Sequence, residues 1–246
     1  MLSSIRQHLI KRMNWIFSLF IIGLIIGFPL AGWVIEWLVQ DSGFKPSGTE
    51  VIVLHPAEMI VIKVKFASYV GLLLVFGLLI SDVTWSGWRH PSVQIRLEEM
   101  DVKIPKPDKT LFLSLIAMIF LIIMALIYAL YALIPFLLSY LAADATASGL
   151  DTTWRLSGYI GFVFDLSFAS IVGFQTPLVT FIAIRSGLIQ GDVLRRYRRH
   201  IWFGACVMGA ILSPPDPLSL LLVACPVILM FEFALGLERM LVYIED

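Results

Sequence analysis

From Thr110 to Ala143 the chain carries no charged residue at all. Crossing about 30 Å of hydrocarbon takes roughly 20 apolar residues at about 1.5 Å per residue, so this run is long enough to span a bilayer. Met13 to Ile35 is likewise uncharged, Phe66 to Ile80 follows Lys65, and Leu156 to Ile184 is interrupted by Asp165. Two shorter apolar runs, Ile201 to Leu212 and Leu218 to Phe231, flank Ser213-Pro214-Pro215-Asp216-Pro217. Proline has no backbone N–H and clashes with the preceding turn, so this segment predicts a tight hairpin between two helices rather than one kinked span. The resulting expectation is an all-α polytopic membrane protein. Residues 1–246 form one integral domain with six spans at about 13–38, 66–84, 111–141, 156–184, 201–212 and 218–237. The last two are short, which predicts locally thinned bilayer around them.

Composition narrows the function classes. With 59% hydrophobic and 15% charged residues the chain is neither an ordinary soluble enzyme nor a disordered segment. Eighteen basic residues balance eighteen acidic ones, leaving no global field to attract nucleic acid. The first apolar run is about twice the length of a signal-peptide core, and bulky Val34 and Ile35 follow Gly32-Trp33 where a cleavage site would need small residues. It is expected to remain as a span.

Orientation follows from the basic residues in the loops. Arg6, Lys11 and Arg12 precede the first span, and five Lys or Arg lie between Arg89 and Lys109. Five Arg lie between Arg185 and Arg199, and Arg239 follows the last span. That places fourteen on one side against Lys45, Lys63, Lys65 and Arg155 on the other, predicting cytoplasmic N- and C-termini. The outer loop contains Val51-Ile52-Val53-Leu54, read as a short extended or helical piece at the interface.

Few residues carry chemistry. Nucleotide-binding glycine loops, a His-Glu-x-x-His motif and paired-cysteine spacing are missing, and the four histidines are scattered at membrane borders, so no metal or cofactor is expected. Cys206 and Cys225 lie about two helical turns from the proline hairpin, on its two arms, and read as small packing residues rather than a disulfide. Asp165, Gln175 and Glu232 stand inside apolar runs. Polar groups in lipid are costly, so they are expected to face a protein interior, a wet cavity or a partner helix. An intramembrane aspartyl protease built on Asp165 and Asp216 is disfavoured, because Asp216 sits in the hairpin and neither residue belongs to a protease motif. Arg195-Arg196-Tyr197-Arg198-Arg199 reads as an anion site or, more commonly for such a run, as a topology anchor at the inner face.

Several segments resemble the TatC family, the multispanning receptor subunit of the twin-arginine protein translocase. Gly158-Tyr159-Ile160-Gly161-Phe162-Val163 is similar to the start of its fourth span, and Phe174-Gln175-Thr176-Pro177 to its Phe-Glu-x-Pro segment. Leu212-Ser213-Pro214-Pro215-Asp216 resembles its Thr-Pro-Pro-Asp hairpin, and Phe231-Glu232 continues the match. In the N-terminal half the family's Glu-Leu-Arg-x-Arg-Leu start aligns with His8-Leu9-Ile10-Lys11-Arg12-Met13, so its glutamate becomes His8. Pro56 is retained in the outer loop, and Asp82-Val83-Thr84-Trp85 resembles a Tyr-Gln-x-Trp segment. The family's glutamate before the third span has Asp108 as its counterpart, after an insertion containing Glu98, Glu99 and Asp101.

The resemblance implies a non-enzymatic translocase subunit in the plasma membrane. It would bind the Arg-Arg signal peptide of folded precursors through Asp108, Glu98 and Glu99, with His8, Arg12 and Trp85 contributing. Gln175, Glu232 and Asp165 would be its intramembrane polar groups, and Pro56, Pro214, Pro215 and Asp216 its outer-face structural residues. Single-span TatA- and TatB-type subunits would be its partners in a larger self-associating complex driven by the proton gradient. A small-solute or ion transporter using Asp165, Gln175 and Glu232, and a non-transporting scaffold subunit, are the competing readings.

Overall fold

A computed structural model describes residues 2–40, 43–44, 49–88, 107–149, 153–185, 189, 191–212 and 217–245. In chain order the elements are α1 (Leu2–Gln40), β1 (Glu50–Ile52), α2 (Glu58–Trp88), α3 (Pro107–Tyr128), a π-helical turn (Ala129–Leu133) and α4 (Ile134–Ala147). Then follow β2 (Thr153–Arg155), α5 (Leu156–Phe174), α6 (Thr176–Arg185), α7 (Gly191–Leu212) and α8 (Pro217–Glu245). Among the described residues, five stretches are long and apolar enough to cross a membrane: Met13–Gln40, Glu58–Thr84, Leu111–Ala147, Leu156–Arg185 and Pro217–Met240. The segment 201–212 is the apolar end of α7, whose first half carries Arg195, Arg196, Arg198 and Arg199. Large apolar side chains face outward along these helices, with Trp33 79% and Tyr131 80% exposed. Water would not tolerate that much exposed apolar surface, and lipid is its natural solvent.

The chain divides into two compact units, Met1–Leu79 with Leu138–Phe164, and Ile80–Leu137 with Asp165–Asp246. In the first, α1 and α2 approach closely enough that a Cβ on Gly23 would collide with the Gly71 backbone, and one on Gly71 would meet Phe20 at 2.8 Å. Without a hydrophobic force between helices in lipid, such small-residue contacts let the backbones gain dispersion energy. The extended reading of 51–54 corresponds to β1, which pairs in parallel with β2 in the register Glu50–Thr153, Val51–Trp154 and Ile52–Arg155. Trp154 stacks on Tyr159, with ring centroids 5.8 Å apart, and the Tyr159 hydroxyl donates to Leu38 O at 3.4 Å.

In the second unit, prolines inside spans set the local geometry. Pro226 in α8 cannot donate to Leu222 O, and the Tyr128 hydroxyl of α3 donates to that carbonyl at 2.8 Å instead. Pro135 lies just beyond the π-turn, where Ile134 N–H donates to Ala129 O, a widened turn that accommodates a missing donor. The core of this unit includes Leu133, Leu137, Leu166, Val223, Ala224 and Phe231.

Candidate functional site

Two polar sites lie in the second unit, each built by a local feature of its helices. The first is Gln175, the one-residue turn between α5 and α6. Pro177 leaves Gly173 O without its helical donor, and Thr176 Oγ1 donates to that carbonyl at 2.6 Å. Gln175 N–H reaches back to Val172 O at 3.2 Å, while Val179 N–H donates to Gln175 O at 3.0 Å. Gly173 lets α8 approach, since a Cβ there would stand 2.6 Å from Val227 Cγ2. The span expected over 156–184 is therefore two helices joined at Gln175.

The break turns the Gln175 side chain inward, where it is 1% exposed. Its Nε2 donates to Met118 O of α3 at 3.3 Å, and its Oε1 has no partner among the described residues. The amide orientation follows from the chemistry, because an oxygen facing the Met118 carbonyl would set acceptor against acceptor. An unsatisfied buried acceptor costs roughly 1–3 kcal/mol, so the site holds an unused capacity to accept a hydrogen bond.

The second site lies between α7 and α8. Glu232 Oε1 accepts from Trp202 Nε1 at 2.9 Å, and the Arg198 guanidinium stands 5.7 Å over the Trp202 ring. Arg195 donates to Glu238 Oε2 at 2.7 Å and to Asp192 Oδ1 at 2.5 Å. The hydrogen bond from Arg195 holds the Asp192 carboxyl below its ordinary pKa, and the same bond raises that of Arg195. Gly191 opens α7 and a Cβ there would lie 2.6 Å from Glu238 Oε1, so glycine lets this carboxylate sit close against the positive end of the helix. Arg195, Arg198, Glu232, Leu235, Gly236 and Arg239 line a cleft of about 100 Å³.

In the first unit, Glu58 is 3% exposed at the start of α2. Its carboxylate accepts from Leu54 N–H at 3.2 Å, His55 N–H at 3.0 Å, Arg155 Nε at 2.7 Å and Ser157 N–H at 3.2 Å. One anion thus caps the N-termini of α2 and α5 and ties the loop before α2 to β2. The sequence reading of the outer loop named Pro56 and gave Glu58 no role. Its signal was an acidic residue immediately before an apolar run, with lone Arg155 ahead of the next.

The other expected site residues distribute as follows. Asp165 is half-buried in α5, and Pro56 forms part of the turn before α2. Gln175 donates to Met118 O of α3, whereas Glu232 accepts from Trp202 of α7. His8 and Arg12 fall on α1, Trp85 on the last turns of α2 and Asp108 on the first turn of α3, with their side chains outside the described residues. Glu98, Glu99, Asp101, Pro214, Pro215 and Asp216 lie outside the described residues altogether. Cys206 and Cys225 are free thiols.

The class these features define is a polytopic helical membrane protein with polar groups set between its apolar helices. Residues 1–226 match the family model of the Sec-independent protein translocase protein TatC. The chain is 24% identical to the TatC of Listeria innocua over 95% of its own length and 87% of that protein's. It is 26% identical to the Aquifex aeolicus TatC over 90% and 87%, and 25% identical to the Escherichia coli TatC over 79% and 70%. A crystal structure of the twin arginine translocase receptor TatC in DDM is similar with a TM-score of 0.73 and 25% identity, covering 94% of this chain and 97% of that one. The chain belongs to the TatC family and is a component of a protein translocase, not an enzyme.

Proposed function

We propose that this chain is the receptor of its translocase. It binds the Arg-Arg signal peptide of folded precursors and nucleates, with TatA- and TatB-type single-span subunits, the complex that exports them on the proton gradient. The protein sits in the plasma membrane with six spans and both termini in the cytoplasm, an orientation supported by the fourteen-to-four division of its basic residues. Asp108 pairs with the signal's guanidiniums, Glu98 and Glu99 stand behind it, and His8, Arg12 and Trp85 complete the contact surface. Carboxylates suit this role because the guanidinium fork binds them in bidentate fashion. The outer hairpin of Pro214, Pro215 and Asp216, together with Pro56, has a structural role.

The observation that carries the reading is the buried, half-satisfied amide of Gln175. A subunit that assembles with other spans needs polar groups within the hydrocarbon, and buried Gln175 Oε1 is an acceptor that an internal water, or a partner helix admitted by a rearrangement of α3, α5 and α6, would satisfy. Glu232 and Asp165 add polarity along the same apolar helices. The test is photocrosslinking from a reactive residue at position 108 to a twin-arginine precursor. A crosslink that disappears when the signal carries Lys-Lys is the expected result. Uptake of a small solute by the purified protein alone in vesicles, with no crosslink, would contradict the proposal and favour a solute carrier.

A further inference from the structure

The arginine run of α7 carries more than a topology signal. Asp192 and Glu238 take up Arg195, and Arg196 lies close enough to Asp192 to add to the lowering of its pKa. These four charges balance. The remaining charged residues of the cleft are Arg198, Arg239 and Glu232, and Glu232 is held by the Trp202 indole. Among the described residues neither Arg198 nor Arg239 makes an ion pair, so the cleft keeps one positive charge in surplus.

The surroundings say what that charge is for. The cleft lies where the basic half of α7 gives way to its apolar half at Ile201, which sets it at headgroup depth. Exposed Phe203 continues α7 toward its apolar end, and on antiparallel α8 exposed Phe233 and Leu229 lie toward the same end of the cleft. A soluble anion has no use for these apolar neighbours, whereas a ligand with a phosphate head and hydrocarbon tails uses both. We infer that the cleft between α7 and α8 binds the phosphate of an anionic phospholipid, with Arg198 and Arg239 as its donors and the tails lying along Phe203, Phe233 and Leu229. Arginine suits the task because its planar fork gives two parallel bonds to phosphate oxygens. Gly236 supplies room for the headgroup, since a Cβ there meets nothing within 4 Å. Basic pockets between spanning helices are a recurrent way of holding such lipids. This site is independent of signal-peptide recognition.

Native mass spectrometry of the purified, delipidated full chain with phosphatidylglycerol, phosphatidylcholine or sn-glycerol 3-phosphate tests the inference. Phosphatidylglycerol is expected to saturate one site, tighter than phosphatidylcholine. Each lost arginine should weaken it about five-fold, and Arg198→Gln with Arg239→Gln about twenty-five-fold. Gly236→Leu fills the cleft without changing charge and should abolish the preference, while Arg199→Gln, in the same basic run but outside the cleft, should retain it. Equal binding of the two lipids would overturn the site, as would a loss with Arg199→Gln equal to that with Arg198→Gln, which would signify diffuse attraction. Glycerol 3-phosphate binding as tightly as the lipid would replace the lipid with a soluble phosphate and also overturn the proposal. Should the double variant fail to fold, Gly236→Leu decides alone.

Discussion

Glutamine stays neutral at every pH while keeping both a donor and an acceptor, so the site at position 175 works by hydrogen bonding rather than by titration. Gln175→Glu, which keeps an acceptor, should retain export. Gln175→Leu should reduce export several-fold without weakening precursor binding, as read by transport into vesicles beside a binding assay. The same leucine removes a buried unsatisfied oxygen, so the variant's thermal stability should hold or rise. A fully active Gln175→Leu protein would reduce the residue to helix packing. Glu58→Ala leaves the N–H groups of Leu54, His55 and Ser157 without their acceptor. It should lower the unfolding midpoint in detergent, with half-exposed Arg155 adding little. Asp192 has its carboxyl pKa lowered by Arg195, so this pairing is present above the ordinary carboxylate range and is lost as pH falls through the lowered value. Chemical-shift titration of labelled aspartate should place Asp192 below the ordinary carboxylate value. Gln175 was legible in the sequence because it is polar, lies in an apolar run and precedes a proline. Glu58 was not, because Arg155 lies 97 residues away and a single acidic residue at a helix start says nothing about which strand it will hold.

At the scale of elements, prolines explain where helices change and which side chains cross between them. Pro226 leaves Leu222 O free and Tyr128 satisfies it, while Pro177 leaves Gly173 O free and Thr176 satisfies it. Tyr128→Phe should therefore cost about 1 kcal/mol of unfolding stability. In a Pro226→Ala background, where Leu222 O regains its helical donor, the same substitution should cost much less. A double-mutant cycle in detergent measures the difference, and additive costs would contradict the shared carbonyl. The apolar runs located the spans, but the helices extend beyond them. α1 begins at Leu2 and α3 with α4 reaches Ala147, because polar residues at a span's end do not stop a helix. The strands β1 and β2 were less legible. Three residues each, paired in parallel across a hundred positions, give no periodicity to read, and Thr153-Trp154-Arg155 contains no turn chemistry to mark it.

For the whole molecule, hydropathy indicated a polytopic helical membrane protein and the resembling segments its TatC family, because both are carried by residues local in sequence, whereas the break at Gln175 within the span expected over 156–184 was not read. The proposed arginine-recognising surface is harder to read, because Glu98 and Glu99 alternate with Arg96 and Lys103 and lie outside the described residues, and Asp108 is a single carboxylate at the start of α3. Topology is the first prediction at this scale. In a background lacking Cys206 and Cys225, single cysteines at Glu50 and Ser148 should react with an impermeant reagent in intact cells, and one at Asp192 should not. Reaction at position 192 from outside would overturn the six-span arrangement. The central claim, that this chain reads the Arg-Arg pair of a precursor, is tested most directly by its affinity for a twin-arginine signal peptide against the Lys-Lys version. A charge-assisted hydrogen bond contributes roughly 1.5–3 kcal/mol, so the Arg-Arg peptide should bind about ten-fold tighter or better. Asp108→Lys with Glu98→Lys and Glu99→Lys should erase that difference, whereas equal affinity for the two peptides in the unaltered protein would contradict the claim.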